Sequence, residues 1–389
     1  MDQLPNVWGG GQLFAFSGLE GDTSWEHPLV GSLLPDRVGI DFHQSPSVVL
    51  EIVPAAPAEI VPEVVLGDVF SLRLGEAPVL VAWADRFTIV GQIGAGLTAR
   101  LHHAGDAIET KGGHFALARA EDGSGKWALA HDPASAEAAR ERATTALALD
   151  VARVAEQPRA FIESVAADGL AAPADPRTYR KAASVLKVNV MSPEGSIGRR
   201  WTTPDRWPHR HMWLWDSAFH SLGWLHLDPQ MARDTLEAMV EAAYPDGMIP
   251  LCSAPTPHPY RVSQPPLLAW TVWEVHQATR DVGFAVRLYE GLAGYVRWFQ
   301  RERDRNHNGL YEWWKDEDNT LCHCGESGLD NSPRFDQPGI DDHVDLNCML
   351  VNEMEVLARI ALIADRFDEA AQWQEQAQAL AGLINERMW

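Results

Sequence analysis

The feature that most constrains the fold of this chain is a change of sequence pattern at Asp132-Pro133. Before it, short apolar runs at 48–53, 79–83, 87–90 and 98–101 are separated by glycine, proline and aspartate. Several short strands at this spacing predict an antiparallel β-sandwich over residues 1–132. After it, apolar residues recur at helical spacing as far as Trp389. We therefore expect a multi-domain fold in which a β domain precedes a helical one.

The helical part divides into a connecting segment and a series of amphipathic helices. Residues 134–165 are rich in alanine, glutamate and arginine, and predict one long exposed helix within a linker over 133–170. From residue 171 to residue 389 the apolar spacing predicts about seven further helices. They cover 177–189, 213–226, 229–243, 265–280, 282–303, 342–365 and 367–387.

Composition excludes several classes of partner. The formal net charge of −22 repels phosphate backbones and anionic headgroups, so neither nucleic acid nor a membrane surface is expected to bind. No apolar run approaches the length of a membrane span, and the first five residues lack the pattern of a signal peptide, so a cytoplasmic protein is expected. The four cysteines are too few for a disulfide framework, and Cys322-His323-Cys324 lacks the second spaced pair of a zinc site. Nothing in the sequence indicates an oligomeric state.

The stretch 325–336 is the densest group of functional side chains. It holds three carboxylates, an arginine, two glycines and a proline within twelve residues. Glycine and proline at this density favour a loop. Carboxylates held beside an arginine suit polyol recognition or proton transfer to a glycosidic oxygen, although a solvated turn would use the same residue types.

Two further stretches combine aromatic and polar side chains. Around Trp213, Trp215 and Asp216 a loop leads into a helix, and the indoles could lie under a sugar ring while Asp216 accepts hydrogen bonds from hydroxyls. The same residues could instead form an ordinary helix start, with Asp216 placed against the helix dipole. Gln264 follows Ser263, which together with two prolines predicts a helix start, and its amide could bind a substrate hydroxyl.

Residues 326–334, Glu-Ser-Gly-Leu-Asp-Asn-Ser-Pro-Arg, resemble the signature Glu-Ser-Gly-x-Asp-x-Ser-x-Arg. Family 63 glycoside hydrolases and the trehalases of family 37 share that signature, and Asn331 before Ser332-Pro333 favours family 63. The stretches at 213–220 and 264–266 also resemble family 63. The resemblance implies a β-sandwich attached to an (α/α)6 barrel, a six-hairpin toroid that is incomplete in this chain. It also implies an inverting α-glycosidase for a small α-glucoside or α-mannoside, such as glucosylglycerate, mannosylglycerate or an α-glucosyl oligosaccharide.

The family's motif assigns roles to individual residues. Asp330 matches the general acid. The family's catalytic base is a glutamate with no match in this sequence, so we expect it beyond Trp389 and expect the 389 residues alone to be inactive. No cofactor is implied. The resemblance implies substrate contacts by Trp213, Trp215, Asp216, His220, Gln264, Gly328 and Arg334.

Other interpretations stay open at this point. A protein with the same aromatic wall could bind carbohydrate without hydrolysing it, and a phosphorylase on a similar barrel would need a phosphate pocket. An acidic aglycone would need a cation, for which Arg206, Arg210 and Arg261 are candidates. Asp304, Asn306 and Asn308 place oxygen side chains at alternate positions, as in a calcium loop. Lys315 stands where such a loop has its glutamate. A turn stabilised by its own side chains and a structural calcium therefore both stay open.

Overall fold

The computed structural model of the chain describes residues 4–102, 105–165, 175–256, 260–316, 318, 322–336, 339 and 341–389. Two compact units make up the chain. The first, called here the sandwich unit, contains Met1–Ser192 and Asp205–Arg210. The second, called the helical unit, contains Pro193–Pro204 and His211–Trp389. The domain boundaries expected at residues 132 and 170 stay predictions, and this division falls at neither.

Two antiparallel sheets form the first part of the sandwich unit. One has the strand order β1-β2-β3-β4-β9 and the other the order β10-β11-β12-β8-β7-β6-β5. The strand runs expected at 48–53, 79–83, 87–90 and 98–101 are confirmed as β4, β7, β8 and β9. The strands are β1 Leu13–Ala15, β2 Val30–Leu33, β3 Gly39–Phe42, β4 Val48–Pro54, β5 Ile60–Val65, β6 Val69–Leu74, β7 Ala77–Asp85, β8 Thr88–Ile93, β9 Leu97–Leu101, β10 Ala107–Thr110, β11 Gly113–Arg119 and β12 Lys126–Asp132.

Large apolar side chains from both sheets share one core. Phe42 and Phe115 come from different sheets, and their ring centroids lie 5.9 Å apart. Trp127 is fully buried in the same cluster, and a Cβ at Gly91 on the neighbouring strand would lie 2.2 Å from its indole. Only glycine at position 91 therefore leaves room for that ring. The expected β-sandwich is confirmed as this sandwich-like pair of sheets.

The prediction of one long exposed helix over 134–165 is wrong. The structure has two helices, α1 Ala136–Ala146 and α2 Val151–Ser164, because a turn over 147–150 ends the first and the Asp150 carboxylate caps the second. Neither helix is fully exposed: α1 packs on β11 and β12, and α2 packs on β7. The small side chains of α1 permit this close approach to the sheet. A third helix, α3 Pro176–Val188, and the short strand β13 Val190–Met191 complete this part of the sandwich unit.

The described residues of the helical unit form six longer helices, and each lies where apolar spacing predicts one. Short connections at 226–228, 280–281 and 364–366 join them as three hairpins, α4 with α5, α6 with α7 and α8 with α9. The helices are α4 Leu214–Leu225, α5 Pro229–Glu241, α6 Leu268–Thr279, α7 Val282–Glu302, α8 Val344–Ile363 and α9 Phe367–Arg387. The short strands are β14 Trp201–Thr202, β15 Met212–Trp213 and β16 Cys252–Ser253.

The three hairpins pack side by side in two layers. Helix α6 packs against both α4 and α8, which makes α4, α6 and α8 one layer, and α5 packs against α7 in the other. Short connections reverse the chain, so they lie at one end of the hairpins. The long connections, 242–267 and 303–343, therefore lie at the opposite end and lead into the N-termini of α6 and α8. Those connections contain Gln264 and the stretch 325–336.

Among the residues that the structure describes, none of the helices combines the length and the hydropathy that crossing a bilayer requires.

A buried ion cluster joins α3 to the loops of the sandwich unit. The ammonium of Lys187 on α3 is fully buried and contacts the carboxylates of Glu20 and Asp68. Burial and the neighbouring Asp68 charge raise the pKa of Glu20 to about 7, although Lys187 opposes the shift. The single positive charge of Lys187 therefore has to stabilise two buried carboxyl groups.

We predict that Lys187→Met strongly destabilises the sandwich unit. Removing one member of a buried ion cluster leaves uncompensated charge and costs about 3–5 kcal/mol. Lys181→Met is a matched control on the same helix, because Lys181 is half-buried and its Nζ donates to a neutral acceptor, the Val65 carbonyl, at 3.3 Å. Urea unfolding should show a much larger loss for Lys187→Met. Equal losses would contradict the proposed importance of the cluster.

Candidate active site

The first part of the site is built at the start of α4. Trp213 pairs with Cys252 in the β15–β16 ladder, and the Leu214 N–H donates to the Leu251 carbonyl at 3.0 Å. These bonds fix the position at which the helix begins. Trp215 and Asp216 lie in its first turn and are partly exposed. A carboxylate in the first turn is stabilised by the N-terminal helix dipole, so the ordinary role weighed for Asp216 is compatible with this placement.

Gln264 lies directly beside Trp215. Its side-chain oxygen accepts a hydrogen bond from the Trp215 backbone N–H at 3.2 Å, and only 4% of the residue is exposed. The Gln264 carbonyl accepts from the Tyr295 hydroxyl at 2.8 Å. Burial raises the pKa of Tyr295, so this hydroxyl stays protonated and able to donate. Gln264 therefore positions Trp215, a role that the sequence did not indicate.

The stretch 325–336 is a loop, as expected, with two short 3₁₀ turns at Gly325–Ser327 and Pro333–Phe335. The Cys324 N–H donates to the Asp330 carbonyl at 2.9 Å and closes the first part of the loop. Gly328 has a φ of 68°, and a Cβ there would lie 2.5 Å from the indole of Trp215. The loop backbone thus lies directly against Trp215. Asp330, two residues further on, is exposed.

Glu326 has a different role from Asp330 although both are acids of the same loop. Glu326 is completely buried, and its carboxylate accepts from the N–H groups of Ser263 at 3.1 Å and Trp314 at 2.7 Å. It also forms a bidentate pair with the Arg303 guanidinium at 2.6 and 2.7 Å. All four bonds hold Glu326 in place, so it anchors the loop and its charge is balanced by Arg303.

The other expected contacts have partners of their own in the structure. Arg334 pairs with Asp345 on α8 at 2.5 Å. Burial acts to raise the pKa of Asp345, but the bond to Arg334, the charge of Arg334 and the bonds from Leu346 and Trp313 together outweigh burial, so the pKa is lowered. His220, one helical turn after Asp216, has its Nδ1 atom 3.0 Å from the Thr202 hydroxyl. Burial lowers the pKa of His220 to about 4, so the ring is neutral near pH 7.

The cations considered for an acidic aglycone are also engaged. Arg261 pairs with Asp246 at 2.5 Å in the helical unit. Arg206 lies in the sandwich unit, where it is buried and donates to the carbonyls of Phe16 and Val188 at 2.8 Å. Arg210, also in the sandwich unit, donates to the Trp25 carbonyl. Arg206 is therefore a structural residue.

The loop considered for calcium is stabilised by its own side chains. The Asp304 carboxylate accepts from the N–H groups of Asn308 and Gly309 at 2.9 and 3.2 Å, and Asn308 Oδ1 accepts from the Leu310 N–H at 2.8 Å. The amides of Asn306 and Asn308 both donate to Asp342. The self-stabilised turn is confirmed, and a bound calcium stays a prediction.

A buried glutamate on α8 supports the same site. Glu353 accepts from the N–H groups of Ala269 and Trp270 at 2.8 and 2.9 Å, at the start of α6. The expectation that Ser263 begins this helix is wrong, because its hydroxyl donates to the Ile249 carbonyl and Glu353 supplies the acceptors for the first turn. Trp270 contacts the Phe219 ring, and Phe219 contacts the Trp215 ring.

Sequence reasoning missed Glu353, Arg303 and Tyr295. For Glu353 a signal existed, since it occupies an apolar-face position in the helical spacing of Leu346, Leu350 and Leu357. A charged residue at such a position requires a buried partner. For Arg303 and Tyr295 no local pattern indicates a role.

Relatives of the helical unit are known. Residues 209–389 match the family model described as "Mannosylglycerate hydrolase MGH1-like glycoside hydrolase domain". The chain is 29% identical over 182 residues to the mannosylglycerate hydrolase of Thermus thermophilus, a match that covers 41% of this chain and 40% of that protein. It is 30% identical over 159 residues to the glucosylglycerate hydrolase of Mycolicibacterium hassiacum, covering 32% and 34%. The chain thus spans less than half the length of these two relatives.

A solved structure resembles nearly the whole chain. A bacterial glucoamylase complexed with acarbose aligns over 98% of this chain and 68% of its own, with a TM-score of 0.54 and 12% identity. At this identity the likeness concerns the fold alone. It supports the arrangement of a β-sandwich part followed by a helical part.

We predict that Gly328→Ala impairs the site. A methyl group at this position would collide with the Trp215 indole, and the positive φ strains any residue with a Cβ. Any ligand that binds against Trp215 should bind at least about tenfold more weakly for a displacement costing about 1.4 kcal/mol. Gly198→Ala is the matched control in the same unit, since a Cβ there meets nothing within 4 Å. Unchanged binding by Gly328→Ala would show that this contact is unimportant.

We predict that Glu353 makes stability depend on pH. Burial raises its pKa from 4.5 to about 8, against the two N–H donors that lower it. The folded protein therefore takes up a proton at this group, and the associated stability is fully present below pH 4.5 and lost as pH rises through about 8. Over this pH range, thermal or urea unfolding of the wild-type protein should show a decrease in the free energy of unfolding on the order of 4 kcal/mol, and Glu353→Gln should not show this decrease. Glu355→Gln, an exposed control on the same helix, should retain it.

Proposed function

We propose that the protein is an inverting α-glycosidase with Asp330 as its general acid, because residues 209–389 match the model of a glycoside hydrolase domain and two relatives are named as glycoside hydrolases. The proposed substrate is a small α-glucoside or α-mannoside. Glucosylglycerate and mannosylglycerate are the first candidates, since the two relatives are named for them. An α-glucosyl oligosaccharide is a further candidate.

One observation carries this proposal: three separate stretches meet around Trp215. The start of α4 supplies Trp215 and Asp216, the connection before α6 supplies Gln264, and the connection before α8 supplies Gly328 and its loop. Gln264 bonds to the Trp215 backbone, and Gly328 contacts the Trp215 ring. An indole with a nearby carboxylate and amide is a suitable surface for a sugar, since its face is apolar and its neighbours bind hydroxyls.

The contrast between Asp330 and Glu326 supports the assignment of the acid. Glu326 has its oxygens occupied by four donors, so it has no free position from which to transfer a proton to a substrate. Asp330 is exposed and lies two residues from the glycine that touches Trp215. A sugar on that side of Trp215 would place its glycosidic oxygen within reach of Asp330. Inversion further requires a second carboxylate about 6.5–9.5 Å away, which activates a water molecule.

The arrangement of the helices supports an (α/α)6-barrel type of fold for the helical unit. A six-hairpin toroid has alternate helices in an inner and an outer layer. Helices α4, α6 and α8 match three inner helices, and α5, α7 and α9 match their outer partners. The three site stretches lie at or before the N-termini of the proposed inner helices, which brings their side chains to one end of the proposed ring.

We predict that Asp330→Asn, in the protein expressed from its native gene, lowers kcat on glucosylglycerate or mannosylglycerate by roughly 10²-fold or more. The loss should be much smaller on an α-glucosyl fluoride, because fluoride departs without needing a proton. Product analysis by proton NMR within the first minutes should show the β anomer as the initial product.

Asp336→Asn is the matched control, since Asp336 is another exposed acid of the same loop. It should retain wild-type turnover on both substrates. Wild-type rates for Asp330→Asn on the natural glycoside would refute the assignment. Sugar binding without any turnover by the wild-type protein would instead support a carbohydrate-binding protein.

A further inference from the structure

A cleft on the sandwich unit contains none of the residues proposed for catalysis. Its volume is about 480 Å³, within the range of small-molecule sites. Part of its wall comes from residues 205–210, which belong to the sandwich unit although they immediately precede the aromatic stretch at 213–216. The cleft is lined by Glu26, His27, Pro28, His43, Gln44, Ser45, Lys111, Gly112, Trp207 and Arg210.

An exposed indole is the main apolar surface of this cleft. Trp207 is 42% exposed, which is unusual for a residue type that is highly buried on average. Its ring stacks on His43, with centroids 5.9 Å apart and planes within 5° of parallel. The Ser32 hydroxyl lies 3.0 Å from His43 Nε2, and the Asp205 carboxylate accepts from the backbone N–H of Trp207 at 3.1 Å. The indole is therefore held in place before any ligand binds.

Planar polar groups surround the indole and are also fixed. The Arg210 guanidinium lies 4.5 Å from the Trp25 ring centre, and its Nη1 atom donates to the Trp25 carbonyl at 2.9 Å. The Gln44 side-chain oxygen accepts from the Thr110 hydroxyl at 3.2 Å, which orients its amide. Flat amide and guanidinium groups beside an aromatic ring suit adjacent hydroxyls on a sugar, because they can form two hydrogen bonds at once.

The charges in the cleft differ from those of the whole chain. The chain carries a formal charge of −22, yet two cations, Lys111 and Arg210, face a single carboxylate, Glu26, in this cleft. Lys111 is exposed, so its ammonium can reach a ligand. A local excess of positive charge attracts an anionic group that the rest of the surface repels. A carboxylate is also the group that an arginine binds well through paired hydrogen bonds.

We propose that this cleft binds a saccharide that carries a carboxylate. The sugar ring stacks on Trp207, its hydroxyls bind Gln44 and Arg210, and its carboxylate pairs with Lys111. The inference does not depend on hydrolysis, since none of these residues belongs to the proposed catalytic group.

The test compares two probes that differ only at C6, methyl α-D-glucuronide with a carboxylate and methyl α-D-glucoside with a hydroxymethyl group, by calorimetry and saturation-transfer NMR at low salt. We expect the glucuronide to bind at least fivefold more tightly. Trp207→Ala should weaken both probes about tenfold or more, since an aromatic platform contributes on the order of 1–3 kcal/mol. Trp207→Phe should recover part of the loss. Lys111→Met, an exposed substitution, should weaken only the glucuronide.

Trp215→Ala separates this cleft from the proposed active site. It should leave glucuronide binding unchanged, whereas it should impair hydrolysis if the glycosidase proposal is right. Binding that disappears in Trp215→Ala and persists in Trp207→Ala would overturn the cleft proposal. Equal affinity for the two probes would also overturn it. So would the absence of binding by either probe at about 20 mM, roughly 20-fold above a Kd of about 1 mM.

Discussion

The buried pair of Glu326 and Arg303 is the interaction on which the rest of the candidate site depends. Glu326 belongs to the acid loop, Arg303 ends α7, and the same carboxylate also accepts from the backbone of Ser263 and Trp314. One side chain therefore ties three parts of the connection 303–343 to the connection that precedes α6. Since a buried charge is tolerated only when it is paired and hydrogen-bonded, these segments can pack here only in one arrangement. That arrangement sets where Gly328 meets Trp215 and where Asp330 emerges.

The carboxyl groups of the site have different roles because their environments differ. Glu326 and Glu353 are fully buried and spend their oxygens on backbone N–H groups and an arginine. Asp330, with the same functional group, is exposed. The first two are suited to hold segments together, and the third is suited to exchange protons with a substrate. Tyr295 and Gln264 transmit this support further, because Tyr295 holds the Gln264 backbone and Gln264 holds Trp215.

The distribution of connection lengths explains how loops distant in sequence come together. Hairpins with short connections at one end leave all the long connections at the other. A long loop without regular structure can adopt many conformations and so present side chains in many directions. Its buried anchoring residues restrict the loop to the conformation that forms the site. The sandwich unit is built differently. Its sheets enclose a core of large aromatic rings, and the residues that line the cleft at Trp207 lie outside that core.

The sequence by itself determined the alternation of apolar residues, and hence the strands of the sandwich and the positions of α4 to α9. It also determined the residue types at Trp213 to Asp216 and at 325–336, from which the family resemblance follows. Predictions from local sequence pattern were wrong at two places where tertiary contacts decided the structure. Residues 134–165 form two packed helices instead of one exposed helix, and Ser263 does not begin α6. Only the tertiary structure decided that Glu326 anchors the loop, that Gln264 positions Trp215 and that Glu353 completes the start of α6. The reason is physical: periodicity reports which side chains avoid water, whereas the partner of a buried charge or amide is chosen by packing between segments far apart in the chain.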